Sequence, residues 1–304
     1  MDWRGRKNPL PLLSSHHSFR PSLSMIKRIL VALDPDSDSK VATQYAVRIA
    51  QQTDARITGL AVVDTRNIEA SSRGGGIGSM YYAEKLRENL TQETREQARS
   101  LISQFEAHVD GTGVRHIEVV EEGVPFERIV EDMKYHDLLV VGCDPHFFYG
   151  HPKKRTNTLA GVFHHTVGPT IVVPKKHRDI KKVLIATNGE NSASRATRRF
   201  VELQPFGDAL EIDVLFVHKK NEQIDAEFHL QMTKDYLSAH GFEARVHGMI
   251  DGKRAQRILE KAEEIGADLI VAGSTTSKSV TGYNMSKTTK SLTDNEHMAV
   301  FVEH

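Results

Sequence analysis

Cysteine is almost missing from this chain: Cys143 stands alone among 304 residues. A lone thiol excludes an intrachain disulfide and any structural zinc site built from several thiolates, and it accords with the reducing cytoplasm expected for this chain. Long apolar runs are missing too. Ile29 to Leu33 is among the longest, far short of the roughly 18 consecutive residues of a membrane-spanning helix. Net charge is also absent, with 40 Lys plus Arg against 40 Asp plus Glu. That balance removes the global basic field on which non-specific nucleic-acid binding depends, so nucleic acid is not an expected partner. What remains, 39% hydrophobic and 26% charged residues, is the composition of a folded globular chain about two domains long.

Residues 1–24 stand apart. Arg4, Arg6, Lys7 and Arg20 face only Asp2, prolines recur, and Pro11 interrupts the leucines so that no apolar signal-peptide core forms. The segment reads as a disordered extension or as the product of an upstream start codon with Met25 as the first residue. An organelle transit peptide and a basic interaction arm are the other readings. Without it the chain carries 36 basic and 39 acidic residues.

The strongest signal is an internal repeat. Ile26-Lys27-Arg28-Ile29-Leu30-Val31-Ala32-Leu33-Asp34 reappears, 154 residues on, as Ile180-Lys181-Lys182-Val183-Leu184-Ile185-Ala186-Thr187-Asn188. Asp137 to Gly142 reappears as Asp268 to Gly273 at an offset of 131, and Pro169 to Val173 matches Ala299 to Glu303 at 130. Two tandem domains of one fold are expected, residues 25–177 and 178–304. The first holds 23 more residues between its first and fourth strands, and the Gly-rich stretch from Arg73 to Ser79 is the natural place for most of the excess.

Within each copy, short aliphatic runs alternate with helical periodicity, the pattern of strands buried on both faces between crossover helices. After the first strand, Ala42, Tyr45, Ala46, Ile49 and Ala50 fall on one helical face. Pro125 suits the first position of a helix. The fold class is therefore α/β, two doubly wound, five-stranded parallel sheets of Rossmann-like type. With strand order 3-2-1-4-5, the ligand crevice of each copy lies beyond the ends of strands 1 and 4. That selects Asp34 to Ser37 and Gly142 to Thr158 in copy one, and Asn188 to Asn191 and Gly273 to Lys287 in copy two. Strand 5 would be an apolar edge in each copy and needs a cover.

The block order, the ending Val31-Ala32-Leu33-Asp34, the turn Glu122-Gly123-Val124-Pro125, and Val140-Val141-Gly142 followed by Gly168-Pro169-Thr170-Ile171-Val172-Val173-Pro174 resemble the universal stress protein family. The resemblance spans residues 25–304 as two copies. It implies an adenine-nucleotide α-hydrolase-like fold, association through strand 5, and, for one subgroup, ATP bound at Gly-x2-Gly-x9-Gly-(Ser/Thr) after strand 4. There, glycines let the backbone approach phosphates. Both copies depart from that motif. Copy one reads Gly142-Cys143-Asp144-Pro145, and its third glycine and following Ser map to Thr156 and Asn157 with one inserted residue. Copy two keeps the spacing from Gly273 and Ser274 to Ser286 and Lys287 but only the first glycine. Asp34, replaced by Asn188 in copy two, either meets a nucleoside or caps the helix that follows.

The candidate nucleotide-binding residues are thus Asp34, Gly142, Thr156, Asn157, Asn188, Gly273, Ser274, Ser286 and Lys287, with ATP or another adenine nucleotide as the cofactor expected if any is bound. Strand 5 should pair within the chain as a pseudo-dimer or between chains as a homodimer. No metal is expected. Cys143, His146, His151, His164 and His165 match no zinc spacing, and Asp34-Pro35-Asp36-Ser37-Asp38 lacks the later Gly and Glu of a calcium loop. No catalytic constellation is readable. The expected function is stress response through ligand or partner binding, the alternative being a slow ATP hydrolase or adenylyl-transfer enzyme of the same superfamily.

Overall fold

The structure, a computed structural model, describes residues 25–35, 38–72, 80–143, 145, 158–250, 253–279 and 282–304. The first copy runs β1 (Arg28–Leu33), α1 (Asp38–Thr53), β2 (Arg56–Asp64), α2 (Thr65–Ser72), α3 (Met80–Val109), β3 (His116–Gly123), α4 (Pro125–Met133), β4 (Leu138–Gly142), α5 (Thr158–His165) and β5 (Thr170–Val173). The second runs β6 (Lys182–Thr187), α6 (Asn191–Leu203), β7 (Glu211–His218), α7 (Gln223–Ala239), β8 (Ala244–Ile250), α8 (Arg254–Ile265) and β9 (Leu269–Gly273). A hairpin of β10 (Thr276–Ser279) and β11 (Gly282–Met285) follows, then α9 (Lys287–Thr293) and β12 (Ala299–Glu303).

Ten of these strands form one sheet in the order β3-β2-β1-β4-β5-β12-β9-β6-β7-β8, so each half has the expected 3-2-1-4-5 arrangement. All neighbours are parallel except β5 and β12, which pair antiparallel with Val172 opposite Val300 and Ile171 opposite Phe301. The two strand-5 edges therefore cover one another inside the chain. Of the two expected arrangements, the structure shows the pairing within the chain.

The same physical device starts each copy. The Asp137 carboxylate accepts the backbone N–H groups of Lys27 and Arg28 at 2.8 and 2.9 Å, and Asp268 accepts those of Lys181 and Lys182 at 3.0 Å each. These bonds fix the entry of strand 1 against that of strand 4 and account for the aspartate before each fourth strand. Apolar side chains then pack on both sheet faces. One layer joins Tyr45, Phe105, Phe200 and Phe301 across both halves; the other joins Ile129, Phe163, Ile258 and Leu292. At Gly59 on β2 a Cβ would lie 2.7 Å from the Phe105 ring, so glycine is what lets α3 seat on the sheet. Much of the excess length of copy one goes into α2 and into α3, which has 30 residues against 17 in α7. The Gly-rich stretch lies outside the described residues. Among the described residues no helix is long and apolar enough to cross a membrane.

Candidate functional site

The carboxyl ends of β6 and β9 diverge around a cleft of about 210 Å³ in the second copy. Ala186 and Ala272 leave room at its floor, and Leu215, Val217, Ile258 and Leu292 give it apolar walls. Polar groups collect at the rim: Thr187 and Asn188 after β6, Ser286 and Thr289 around the start of α9, and Arg254. The Ser286 hydroxyl accepts the Thr289 backbone N–H at 3.1 Å and lies 2.9 Å from the Thr289 hydroxyl, so it caps α9. The Asn188 side-chain oxygen, Oδ1, accepts the Glu190 backbone N–H at 3.2 Å, leaving the side-chain N–H donors for other partners. Among the described residues the lining contains no carboxylate, imidazole or thiol.

Of the five copy-two candidates, the cleft brings Asn188, Gly273 and Ser286 together. Ser274 is buried and turns away, its backbone N–H donating to the Glu303 carbonyl at 2.7 Å and its hydroxyl lying 3.2 Å from the His304 ring nitrogen. Lys287 opens α9 but is exposed outside the cleft. Gly273 has a packing reason unconnected with phosphate: a Cβ there would lie 2.4 Å from the backbone of Ser192 and Ala193 at the start of α6. Arg254 was not anticipated. It opens α8 where Pro125 opens α4. A basic residue at the first position of a helix leaving the carboxyl side of the sheet was the signal available in the sequence.

Copy one places its candidates differently. Asp34 is buried and lines a separate cleft of about 190 Å³ between α1 and α3, with Lys40, Gln104 and His108 nearby. Gly142 is sealed by a buried carboxylate, because a Cβ there would lie 2.5 Å from Asp38 Oδ2. The Cys143 thiol lies 3.5 Å from the same oxygen, and burial together with Asp38 pushes it up to about 12, which leaves it protonated and unreactive at neutral pH. A buried acid at this point disfavours phosphate. Thr156 and Asn157 lie outside the described residues, as do Asp144, His146 and His151.

The segment between Gly273 and Ser286 reads as loop in the sequence but forms the β10–β11 hairpin, whose neck is closed by Ser286 N–H donating to the Thr275 carbonyl at 2.8 Å. The hairpin strands meet copy one. The Tyr283 ring stacks on His164 of α5 at 4.8 Å and meets His165 edge-on at 4.8 Å, and His164 Nδ1 lies 2.9 Å from the Thr276 hydroxyl. Burial, then the charges of His164 and Lys278, hold His165 below its ordinary value; burial, His164 and Arg195 do the same for His304. Nearby, burial lifts the Glu303 carboxyl to about 7 against the pull of Arg199 and Arg195. Among the described residues no cluster of three His, Cys, Asp or Glu side chains is arranged to hold a metal.

Residues 25–174 match the model of the universal stress protein family. A universal stress protein from Archaeoglobus fulgidus DSM 4304 superposes with a TM-score of 0.63 at 18% identity, covering 91% of this chain and 97% of that one. A functionally unknown protein from Pseudomonas aeruginosa PAO1 gives 0.58 at 17% identity with 92% of each chain covered. At these identities the likeness to solved structures is one of fold, and it extends through both halves. No curated protein matches the chain in sequence.

Proposed function

Because the chain belongs to the universal stress protein family, we propose that it acts in the response to stress as a binding protein whose second copy takes an adenine nucleotide. The observation that carries this reading is the cleft beyond β6 and β9, at the topological switch point, where Asn188, Gly273 and Ser286 converge with Arg254. Its apolar walls suit a purine face, and the Asn188 amide and Thr187 hydroxyl suit the purine edge or ribose. Arg254 supplies a cation at the rim for phosphate. The cleft is smaller than the ~300 Å³ at the low end of typical ligand pockets, so base and ribose would sit inside and phosphates at the mouth.

The described lining offers hydroxyls but no carboxylate, imidazole or thiol beside them to act as general base, which favours binding over ATP hydrolysis or adenylyl transfer. Binding would then signal by changing which partner the protein engages.

The test is direct. Denature the purified protein and assay the supernatant for ATP, ADP and AMP, then measure the ATP-dependent rise in melting temperature. Ser286→Trp, which fills the cleft, abolishes both signals, and Arg254→Ala lowers affinity by roughly tenfold. Unchanged nucleotide content in Ser286→Trp would remove the assignment to copy two. Turnover of added ATP would restore the enzyme reading.

A further inference from the structure

With the strand-5 edges spent in the seam, the sheet ends in β3 and β8, the same strand of the two copies. Among the described residues no strand bonds the outer edge of either. Such edges invite pairing unless charge, proline, a bulge or a cover guards them. β3 is guarded. It carries Glu118, Glu121 and Glu122, so self-pairing would bring six carboxylates into one two-stranded ladder, and in the register that pairs all eight residues Glu118 meets Glu121.

β8 has lost that guard. Its sequence, Ala244 to Ile250, contains no acid, lysine or proline, and Val246 and Ile250 are 37% and 54% exposed. Its one fixed charge, Arg245, is held by Asp213 at 2.7 Å and lies 3.6 Å from Glu211, both on the neighbouring β7. The alternation of β8 is also self-complementary. Laid antiparallel on itself about His247, Ala244 meets Ile250 and Val246 meets Gly248 on the α7 side of the sheet. Arg245 meets Met249 on the α8 side, so no fixed like charges stand opposed. The His247 ring, held 2.6 Å from Asp213, lies on the two-fold axis.

From this we infer that β8 is the surface through which two copies of this chain associate, pairing antiparallel about His247 to join their sheets edge to edge. A two-fold contact of this kind uses the same patch on both partners, which is what the register of β8 provides. The contact is independent of the nucleotide cleft.

Sedimentation velocity of the full chain over a concentration series tests it. Wild type forms a concentration-dependent dimer. Val246→Lys removes apolar contact and sets two ammonium groups diagonally across the axis, raising the dissociation constant roughly tenfold through two symmetry-related sites. Adding Gly248→Glu in the same chain places the introduced carboxylate of each copy opposite the introduced ammonium of the other, and the dissociation constant returns toward wild type. Gly248 tolerates a side chain, since a Cβ there meets nothing nearer than His218 Nε2 at 3.5 Å. Val120→Lys on the exposed face of β3 leaves association unchanged, and circular dichroism confirms that each variant is folded. A wild type that stays monomeric, a Val246→Lys variant that dimerises like wild type, or a double variant as weak as Val246→Lys would overturn the inference.

Discussion

Gly273→Ala separates two explanations of the one glycine that copy two retains from the phosphate-binding motif. A Cβ at this position would lie 2.4 Å from the Ala193 nitrogen and the Ser192 carbonyl carbon and 2.7 Å from the Ser192 oxygen. Ordinary contact needs 3.4 Å or more, so the first turn of α6 must retreat by about 1 Å or β9 must bend. Both are backbone, and neither has a rotamer to change. Overpacking of this kind costs about 1–3 kcal/mol, and the absence of a flexible partner points to the upper half of that range. With a urea dependence of ~2 kcal/mol per molar, the unfolding midpoint falls by about 1 M with no ligand present. Gly142→Ala is the internal control: its Cβ meets the Asp38 carboxylate, a side chain that can swing, and its cost should stay near 1 kcal/mol. Equilibrium urea unfolding followed by circular dichroism decides the matter. A Gly273→Ala protein that unfolds at the wild-type midpoint yet loses nucleotide would refute the packing explanation and return this glycine to phosphate binding.

Three further outcomes follow from groups already described. Burial pulls the Asp213 carboxyl up, but hydrogen bonds from Arg245 and His247 outweigh it and hold it below its ordinary value. Asp213→Asn therefore destabilises by about 1–3 kcal/mol at pH 7, and the difference from wild type shrinks as pH falls below the unfolded value of 3.8, as urea unfolding across pH would show. Glu303 has the opposite sign. Its folded value of about 7 exceeds the unfolded 4.5, so wild type loses stability as pH rises through that interval, and Glu303→Gln is the more stable protein at pH 8 by roughly 1–3 kcal/mol. Equal melting temperatures at pH 8 would contradict it. Tyr283→Ala removes the stack on His164 and the edge contact with His165, about 0.5–1.5 kcal/mol each, and should speed amide exchange in β10 and β11 while leaving β9 protected. Unchanged exchange would mean the hairpin is held by something else.

Much of the fold was legible because buried parallel strands must be written in aliphatic residues. The repeat at offsets 154 and 131 delivered the two halves; the strand order is the common doubly wound one, and pairing of strand 5 within the chain was one of two expected arrangements. What stayed hidden obeys a different rule. The hairpin strands, Thr276–Ser279 and Gly282–Met285, are short and polar, and they are held by Tyr283 on two histidines of the other copy rather than by alternation within themselves. Arg254 escaped notice because the glycine motif directs attention to the loop after strand 4, whereas this cation enters from the helix after strand 3. Asp34 and Gly142 were read into one crevice because they end strands 1 and 4. Tertiary packing instead turns Asp34 toward α1 and α3 and covers Gly142 with Asp38.

The seam has a consequence for synthesis. β12 follows β5 and β9 in sequence by well over a dozen residues, yet it lies between them in the sheet. While the chain is being made, the first copy can assemble its five strands but must display β5 as a bare apolar edge, and β9 waits beside an empty lane. Each nascent chain on a polysome thus carries the same sticky ribbon, Thr170–Val173, until its own Ala299–Glu303 clears the ribosome. A pause in translation between the two, more than any defect in the finished protein, is the moment at which neighbouring chains would pair in the wrong partnership.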